Sequence, residues 1–369
     1  MAKLLTNYSF LDRWLARIHL LCWLSVLLAW MSTKINPESW SLLTLFGLAF
    51  PLSALVNLLF TGYWIYRKKW FFIIGLLGII PFWSLYGLWF QLNNTAPVNG
   101  GKLISYNVRI FDLYEWHNPK NESKKQIIKL LKEENAEVIC FQEYMDKKDS
   151  LGFVWTDSLM NLLGYRYKAL SLTQPNGKQA YYGQAVLSKH PIKTIQDIRL
   201  QTTSSAFGQV VDIKTKKGNF LRIINVHLSS VRFKDEDYRF IKNLNKQENI
   251  TDGSLKIIKR IMQAAEIRAK QVELIKQMID ESPYPTVVAG DFNDSPVSYT
   301  YASLTKQLND AFLVSGNGVG TTYTGDFPSF RIDYILHTDN IKSSDYQTIK
   351  VELSDHYPIC ARLNVLDEP

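Results

Sequence analysis

Long apolar runs fill the first quarter of the chain. Trp40–Tyr66 and Trp70–Phe90 contain no charged residue, and Ile18–Thr33 is a shorter apolar run between Arg17 and Lys34. Because about 20 apolar residues cross a bilayer as a helix, this pattern predicts an all-α transmembrane segment of about three helices, over 15–33, 41–65 and 70–90. The first of these runs is short, so it would span the bilayer only if the side chains at its ends extended to the membrane interfaces. Their length and apolar faces argue against the core helices of a soluble protein, and the later spans argue against a cleaved signal peptide.

The pattern changes after a short polar segment. Residues 93–101, NNTAPVNGG, contain a proline and two glycines, as linkers between domains do. From Lys102 onward, short apolar runs end in polar residues, and two segments with helical periodicity, Lys124–Glu134 and Leu255–Ile279, lie between them. This order predicts an anchor over 1–92, a linker over 93–101 and an α/β domain over 102–369, built as a two-sheet sandwich.

Polar side chains follow the predicted strands. They are Asn107 (SYN), Glu143 (FQEY), His227 (NVHL), Asp291 and Asn293 (GDFND), Asp333 (RIDY), and Asp355 with His356 (SDHYP). Alternate residues of a strand face the same way, so the pattern predicts that Asp291 and Asn293 share a face. The alternative for these two is an ordinary turn, since Asn-Asp-Ser-Pro is good turn chemistry. We expect the polar strand ends to gather at one edge of the sheets.

The chemistry of this set points to a hard metal ion. It offers oxygen atoms and imidazole nitrogens without thiolate, which suits Mg²⁺ or Mn²⁺ rather than structural zinc. The three cysteines, Cys22, Cys140 and Cys360, form no CxxC or Cys/His metal spacing and are expected to be buried free thiols. A metal ion together with an Asp–His pair is suited to phosphoester hydrolysis, because the ion neutralises the phosphate while the imidazole activates or orients water.

Charge is distributed unevenly along the chain. Of 42 basic and 34 acidic residues, seven basic and two acidic ones lie in residues 1–100, which leaves 35 basic and 32 acidic ones for the rest. The C-terminal domain therefore shows no basic excess of the kind found in dedicated nucleic-acid binders. Basic residues near the spans concentrate at the N-terminus and at Arg67–Lys69, and the segment after the third run has none before Lys102. The positive-inside rule then predicts the N-terminus inside and the C-terminal domain outside.

Six motifs occur in an order that resembles the endonuclease/exonuclease/phosphatase family, the fold of exonuclease III, DNase I and neutral sphingomyelinases. They are SYNVR, FQEY, NVHL, GDFND, RIDYIL and SDHYP, and the resemblance covers residues 102–366. Together with the N-terminal spans, SPYP and GDFNDSPVSY look like a membrane-anchored bacterial subgroup of the family. The resemblance implies a DNase I-like α/β sandwich and a cofactor of Mg²⁺ or Mn²⁺.

The resemblance also implies roles for individual residues. Glu143 matches the main metal ligand, with Asn107 beside it and Asp355 at the edge of the metal site. Asp291 and Asn293 match the pair that contacts the attacking water and a phosphate oxygen. His356 matches the catalytic imidazole, and Asp333 the carboxylate that fixes its tautomer. His227 matches a histidine that donates to the phosphate or the leaving oxygen, so it and Asn293 are also substrate-binding candidates. Whether Asp291 or His356 is the general base stays open.

The sequence departs from the DNA-repair branch of the family. Glu143 is followed by Tyr144 and Met145 where that branch has a nearby lysine, and its tryptophan-rich segment has no counterpart. We therefore expect a phosphoesterase tethered outside a bacterial cytoplasmic membrane, whose partners are the bilayer and a phospholipid headgroup, small phosphoester or nucleic acid. No obligate protein partner can be inferred. One alternative is a nonspecific extracytoplasmic nuclease. The other is an inactive scaffold, which is disfavoured because all of the polar site residues are present.

Overall fold

The chain folds into two compact units. The computed structural model describes residues 9–112, 122–148, 154–175, 180–242, 250–325 and 330–366. One unit comprises Met1–Trp89, Arg232–Ala269 and Ser295–Ser303, and the other comprises Phe90–Val231, Lys270–Asp294 and Leu304–Pro369. The first unit therefore combines the apolar N-terminal region with two segments from later in the chain.

The apolar region is helical. Its helices are α1 (Phe10–Ser32), α2 (Pro37–Trp40), α3 (Leu43–Tyr66), α4 (Phe72–Ile79) and α5 (Trp83–Gly87). Within the described residues, α1 and α3 are the two helices that are long and apolar enough to cross a membrane. Residues 70–90, predicted as a third span, form two short helices instead. Pro81 lies between them and has no amide hydrogen to donate to a continuing helix. The prediction of about three spanning helices is therefore not confirmed.

Small and polar side chains pack the helices of this unit together. His19 Nε2 lies 3.1 Å from Asn57 Oδ1, and Asn57 Nδ2 donates to the carbonyl oxygen of Gly75 at 3.2 Å. A Cβ atom added at Gly75 would lie 1.8 Å from Thr61 Oγ1. The absence of a side chain at Gly75 thus lets α4 approach α3 closely, and the side chains of His19 and Asn57 find partners on neighbouring helices. Both features are typical of helix packing in membranes.

The rest of the described chain consists of helices and strands in mixed order. The helices are α6 (Glu122–Glu134), α7 (Val154–Leu163), α8 (Asp235–Lys242), α9 (Ile250–Asp280), α10 (Tyr299–Leu304) and α11 (Ala311–Ser315). The strands are β1 (Phe90–Leu92), β2 (Gly101–Asn107), β3 (Val138–Lys147), β4 (Tyr167–Thr173), β5 (Ala180–Ser188), β6 (Ile192–Ile198), β7 (Gly208–Lys214), β8 (Phe220–His227), β9 (Thr286–Asp291), β10 (Asn309–Asp310), β11 (Asn317–Val319), β12 (Asp333–His337), β13 (Ile341–Thr348) and β14 (Ile359–Val365).

The strands of the second unit form two mixed sheets of six strands each. Their orders are β10-β12-β9-β8-β7-β6 and β13-β14-β2-β3-β5-β4, and β1 pairs separately with β11. Alternation along β2 shows how the sequence builds the layers. Leu103 lies in the cluster shared with Val211 and Val287 of the other sheet, whereas Ile104 lies in the cluster with Ile127 of α6. The prediction of an α/β two-sheet sandwich is confirmed.

Two parallel strand pairs bring the polar strand ends to the same edge. The pair β2–β3 places Asn107 opposite Gln142, and the pair β8–β9 places His227 opposite Asp291. Strand β12 runs antiparallel to β9 and begins at Asp333, which is the register partner of Asp291. Carboxyl ends of the parallel strands and the start of β12 therefore meet at one edge of the sandwich.

Candidate active site

Asp291 lies at the centre of the polar residues that meet at this edge of the sandwich. Its side chain is 1% exposed. Its Oδ2 atom accepts hydrogen bonds from Asn107 Nδ2 at 3.0 Å and from Asn293 Nδ2 at 3.1 Å. The same atom lies 3.6 Å from His227 Nε2 and 3.7 Å from His356 Nε2. Four of the residues predicted from separate motifs thus surround one carboxylate.

A turn, and not the face of a strand, brings Asp291 and Asn293 together. Strand β9 ends at Asp291, and Asn293 adopts a left-handed backbone conformation with φ of 51°. The Asn293 amide donates to Asp291 Oδ1 at 2.8 Å, and its side chain returns to Oδ2. Asn is among the residues that tolerate this conformation best. The turn and the site therefore share Asp291 and Asn293.

Glu143 reaches the site through an irregularity in β3. The pairing of β3 with β5 shifts register between Phe141 and Tyr144, and Glu143 has φ of 48°. Its Oε1 atom lies 3.4 Å from Asn107 Nδ2 and 3.8 Å from His227 Nε2. An inserted residue re-aims a side chain at a strand edge, and here it turns a carboxylate toward the other polar residues. The Glu143 side chain is 38% exposed, so it is accessible to a ligand.

His356 and Asp333 form a buried pair. His356 Nδ1 lies 2.9 Å from Asp333 Oδ2, and both residues are at most 5% exposed. Burial alone would lower the pKa of His356, but the negative charges of Asp333 and Asp291 raise it to about 10. Burial also raises the pKa of Asp291 above its ordinary value. The surrounding carboxylates therefore favour the imidazolium form of His356, whose Nε2 lies 3.7 Å from Asp291 Oδ2.

Asp355 lies at the edge of this network. Its Oδ2 atom is 3.4 Å from Arg109 Nε, and its Oδ1 atom accepts from Ser354 Oγ at 3.2 Å. Ser354 Oγ also lies 2.9 Å from the carbonyl oxygen of Asn107. The structure thus brings Asn107, Glu143, His227, Asp291, Asn293, Asp333 and His356 into one network, and connects Asp355 to it through Ser354.

Several residues of the site escaped the sequence prediction. Arg109 places a cation beside Asp355. Gln142 and Asn225 are fully buried and joined by a 2.7 Å hydrogen bond between the two sheets, just before Glu143 and His227 in their strands. The ring of Tyr323 lies edge-on to that of His356, with 5.3 Å between centroids. Polar residues inside the strand motifs FQEY and NVHL were the available signal for the Gln142–Asn225 pair.

Two known protein families match parts of this chain. The endonuclease/exonuclease/phosphatase family matches residues 104–356, which is more than half of the chain. The chain belongs to this family. A second family, described as a domain of unknown function, matches residues 12–89. No curated protein matches the chain in sequence.

Solved structures of family members have the same fold. A Bacteroides vulgatus endonuclease/exonuclease/phosphatase superimposes with a TM-score of 0.52 at 17% identity, covering 73% of this chain and 100% of that one. Humanized D. rerio TDP2 gives 0.51 at 17% identity, with 73% and 100% covered. The catalytic domain of human Nocturnin, solved with a bound sulfate anion, gives 0.51 at 16% identity, with 73% and 96% covered. At these identities the likeness establishes the DNase I-like fold.

Enzymes of the family generally cleave phosphoesters and typically use divalent metal ions. The side chains of this chain fit such an ion. Asp291, Asp333 and His356 each offer a ligand-type atom within 4.8 Å of the others. The accessible Glu143 carboxylate lies beside this group, with Oε1 3.8 Å from His227 Nε2. His227 Nε2 is buried between these carboxylates without a hydrogen-bond partner among the described residues. Carboxylate and carboxamide oxygens of this kind suit a hard cation such as Mg²⁺ or Mn²⁺.

Proposed function

We propose that this chain is a divalent-metal-dependent phosphoesterase held in a bacterial cytoplasmic membrane by its N-terminal helices, with the catalytic domain on the extracytoplasmic side. The supporting observation is the buried Asp291 carboxylate, which lies within 3.7 Å of Asn107, Asn293, His227 and His356 side-chain nitrogens. Hydrogen-bond donors and a cation around one buried carboxylate form a preorganised polar site of the kind that hydrolytic enzymes use.

Each residue of the site has a separate role in the proposed hydrolysis. A divalent ion held by Glu143, with Asn107 and Asp355, would neutralise the charge of the bound phosphoester. Asp291 takes the proton of the attacking water, because its raised pKa suits a general base and His356 is already protonated. Asp333 holds His356 in place through Nδ1. The free Nε2 of His227 donates to a phosphate or leaving-group oxygen, and Asn293 orients the water.

The proposed membrane location rests on the helices and their flanking charges. Helices α1 and α3 are long and apolar enough to span. The basic cluster Arg67–Lys69 would stay in the cytoplasm, and the uncharged residues 70–90 would return across the bilayer as a helix interrupted at Pro81. Interrupted helices are tolerated in membranes where neighbouring helices cover them, as α3 covers α4 at Gly75.

A substrate screen with one matched pair of variants tests the activity. The full chain in detergent would be assayed with Mg²⁺, Mn²⁺ or EDTA against bis-p-nitrophenyl phosphate, p-nitrophenyl phosphate, phospholipid vesicles and DNA. We expect metal-dependent hydrolysis that falls on the order of 100-fold or more in Glu143→Gln, since even residues that merely support metal ligands cost 10–100-fold. The control is Glu137→Gln, at a half-buried glutamate paired with Lys216 and His190 away from the site.

The screen separates the proposal from its alternatives. Hydrolysis that persists in EDTA or in Glu143→Gln would contradict the metal site. Turnover of DNA alone, strongly weakened by salt, would identify the nonspecific nuclease instead. No turnover of any phosphoester would favour the inactive scaffold.

A further inference from the structure

The segment Thr322–Thr324 contacts both the start of β12, which carries Asp333, and the segment before β14, which carries His356. Its Tyr323 forms a β-bridge with His356. On one side, the amide of Tyr357 donates to the carbonyl oxygen of Thr322 at 2.7 Å. On the other, the amide of Thr324 donates to the carbonyl oxygen of Asp355 at 2.8 Å. The backbone is thus fixed immediately before and immediately after His356.

The hydroxyl of Thr322 holds the backbone at Asp333, the residue that pairs with His356. Thr322 is fully buried, and its Oγ1 atom accepts from the amide of Ile332 at 3.0 Å and from the amide of Asp333 at 3.1 Å. Asp333 is the first residue of β12, where the ladder with β9 begins. A single side chain therefore holds two consecutive amides at the point where the Asp333 carboxylate leaves the strand.

We propose that Thr322 is the positioning residue of the Asp333–His356 pair, which it holds by its hydroxyl on the Asp333 side and by its carbonyl on the His356 side. This inference rests on the proposed function. Valine has the shape of threonine but no hydroxyl, so Thr322→Val would leave the buried amide of Asp333 and the partly buried amide of Ile332 without this acceptor. Buried amides without acceptors are rare in folded proteins, so the start of β12 must shift to find new partners. A displacement of about 1 Å at a catalytic group can cost about 100-fold in rate.

Three variants of the full chain in detergent test this, with bis-p-nitrophenyl phosphate as the probe. We expect Thr322→Val to lower kcat by about 10- to 100-fold with KM nearly unchanged, because the residue touches the Asp333–His356 pair and not the substrate. Thr322→Ser keeps the hydroxyl and should restore most of kcat. Thr286→Val is the matched control. This threonine is equally buried at the other end of β9, where its hydroxyl donates to Tyr284 O at 2.9 Å, so its loss should leave kcat unchanged.

A double-mutant cycle with Asp333→Asn separates positioning from a general loss of stability. If Thr322 acts through Asp333, Thr322→Val should add little to the defect of Asp333→Asn. Fully additive losses, or a Thr322→Ser variant as slow as Thr322→Val, would overturn the inference. If Thr322→Val does not fold, Thr322→Ala replaces it in the same cycle.

A readout independent of turnover distinguishes this inference from the proposed function. In the ¹⁵N-histidine-labelled chain, the proton on His356 Nδ1 should give a downfield resonance that is missing in His356→Ala. We expect it to shift strongly in Thr322→Val and to stay in Thr322→Ser and Thr286→Val. An unchanged resonance in Thr322→Val would overturn the positioning role. A wild-type chain that shows this pattern without hydrolysing any probe would refute the proposed function alone.

Discussion

The carboxylate of Asp291 and the imidazole of His356 lie 3.7 Å apart, and both are almost fully buried. Burial opposes the ionisation of Asp291 and raises its pKa, while the carboxylates of Asp333 and Asp291 keep His356 protonated. Interacting groups of this kind titrate as a unit. The chemistry of the site is therefore a property of the three residues together.

We predict that His356→Ala and Asp333→Asn each lower kcat by on the order of 1,000-fold, and that the double variant is little worse than either single one. Residues that act as a unit give strongly non-additive losses. Steady-state kinetics on the probe that wild type hydrolyses would measure this, with thermal unfolding as the check on folding. Strict additivity would mean that the 2.9 Å contact between the two side chains does not operate in catalysis.

We also predict that Glu137 stabilises the folded protein at neutral pH and that this contribution is lost in acid. Burial would raise the pKa of Glu137, but its contacts with Lys216 and His190 lower it below the ordinary value of 4.5. A carboxyl group with a lowered folded-state pKa contributes stability above its unfolded-state pKa, and this contribution disappears as the pH falls through the folded-state value. The unfolding midpoint of Glu137→Gln should therefore lie below that of wild type at pH 7, and the difference should close below pH 4.5. A difference independent of pH would show that the ion pairs contribute nothing.

At the scale of elements, the site depends on how closely β8 and β9 approach. Gly290 precedes Asp291 and has φ of 145°, and a Cβ atom there would lie 2.0 Å from the carbonyl oxygen of Val226. The parallel ladder that places His227 opposite Asp291 runs past this point. A glycine is thus required where two backbones meet beneath the site.

Gly290→Ala should therefore lower the free energy of unfolding by about 2 kcal/mol or more, since strained conformations alone cost about 1–3 kcal/mol and the clash with β8 adds to this. The control is Gly218→Ala. Gly218 also has a positive φ, of 93°, but its added Cβ atom would meet nothing within 4 Å. Chemical denaturation of both variants would isolate the cost of the clash, and equal losses would show that β8 and β9 can separate at no cost.

For the whole molecule, the proposed function places the catalytic domain outside the cytoplasmic membrane. In this proposal α1 and α3 both span and return the chain to the side of the N-terminus, so the interrupted segment 70–90 would determine the side of the catalytic domain. Three consecutive basic residues, Arg67–Lys69, stand before it, and none follows until Lys102.

We predict that alkaline phosphatase fused after Lys102 is active in cells and that a green fluorescent protein fused there is dark. The reason is that short loops rich in Lys and Arg stay in the cytoplasm. A fusion after Lys69, on the other side of the segment, is the control and should give the opposite pair of signals. Cytoplasmic signals from both positions would show that residues 70–90 do not cross, and would place the domain inside the cell.

The order of motifs along the chain determined much of this protein without tertiary information. Strand-period runs that end in Asn107, Glu143, His227, Asp291, Asp333 and His356 predicted a two-sheet α/β sandwich with one polar edge, and the length of the apolar runs predicted α1 and α3. These features are local, because strand alternation, turn chemistry and run length each depend on residues adjacent in sequence.

Only the tertiary structure decided which side chains meet. The register shift in β3 that aims Glu143, the left-handed turn that returns Asn293 to Asp291, and the Thr322 hydroxyl on the Asp333 amide depend on how strands distant in sequence pair. The interruption of residues 70–90 likewise overrides an apolar run that by length alone reads as one helix. Hydrophobic pattern specifies which residues are buried, but distances between buried polar atoms are set by packing and backbone approach, which the pattern does not contain.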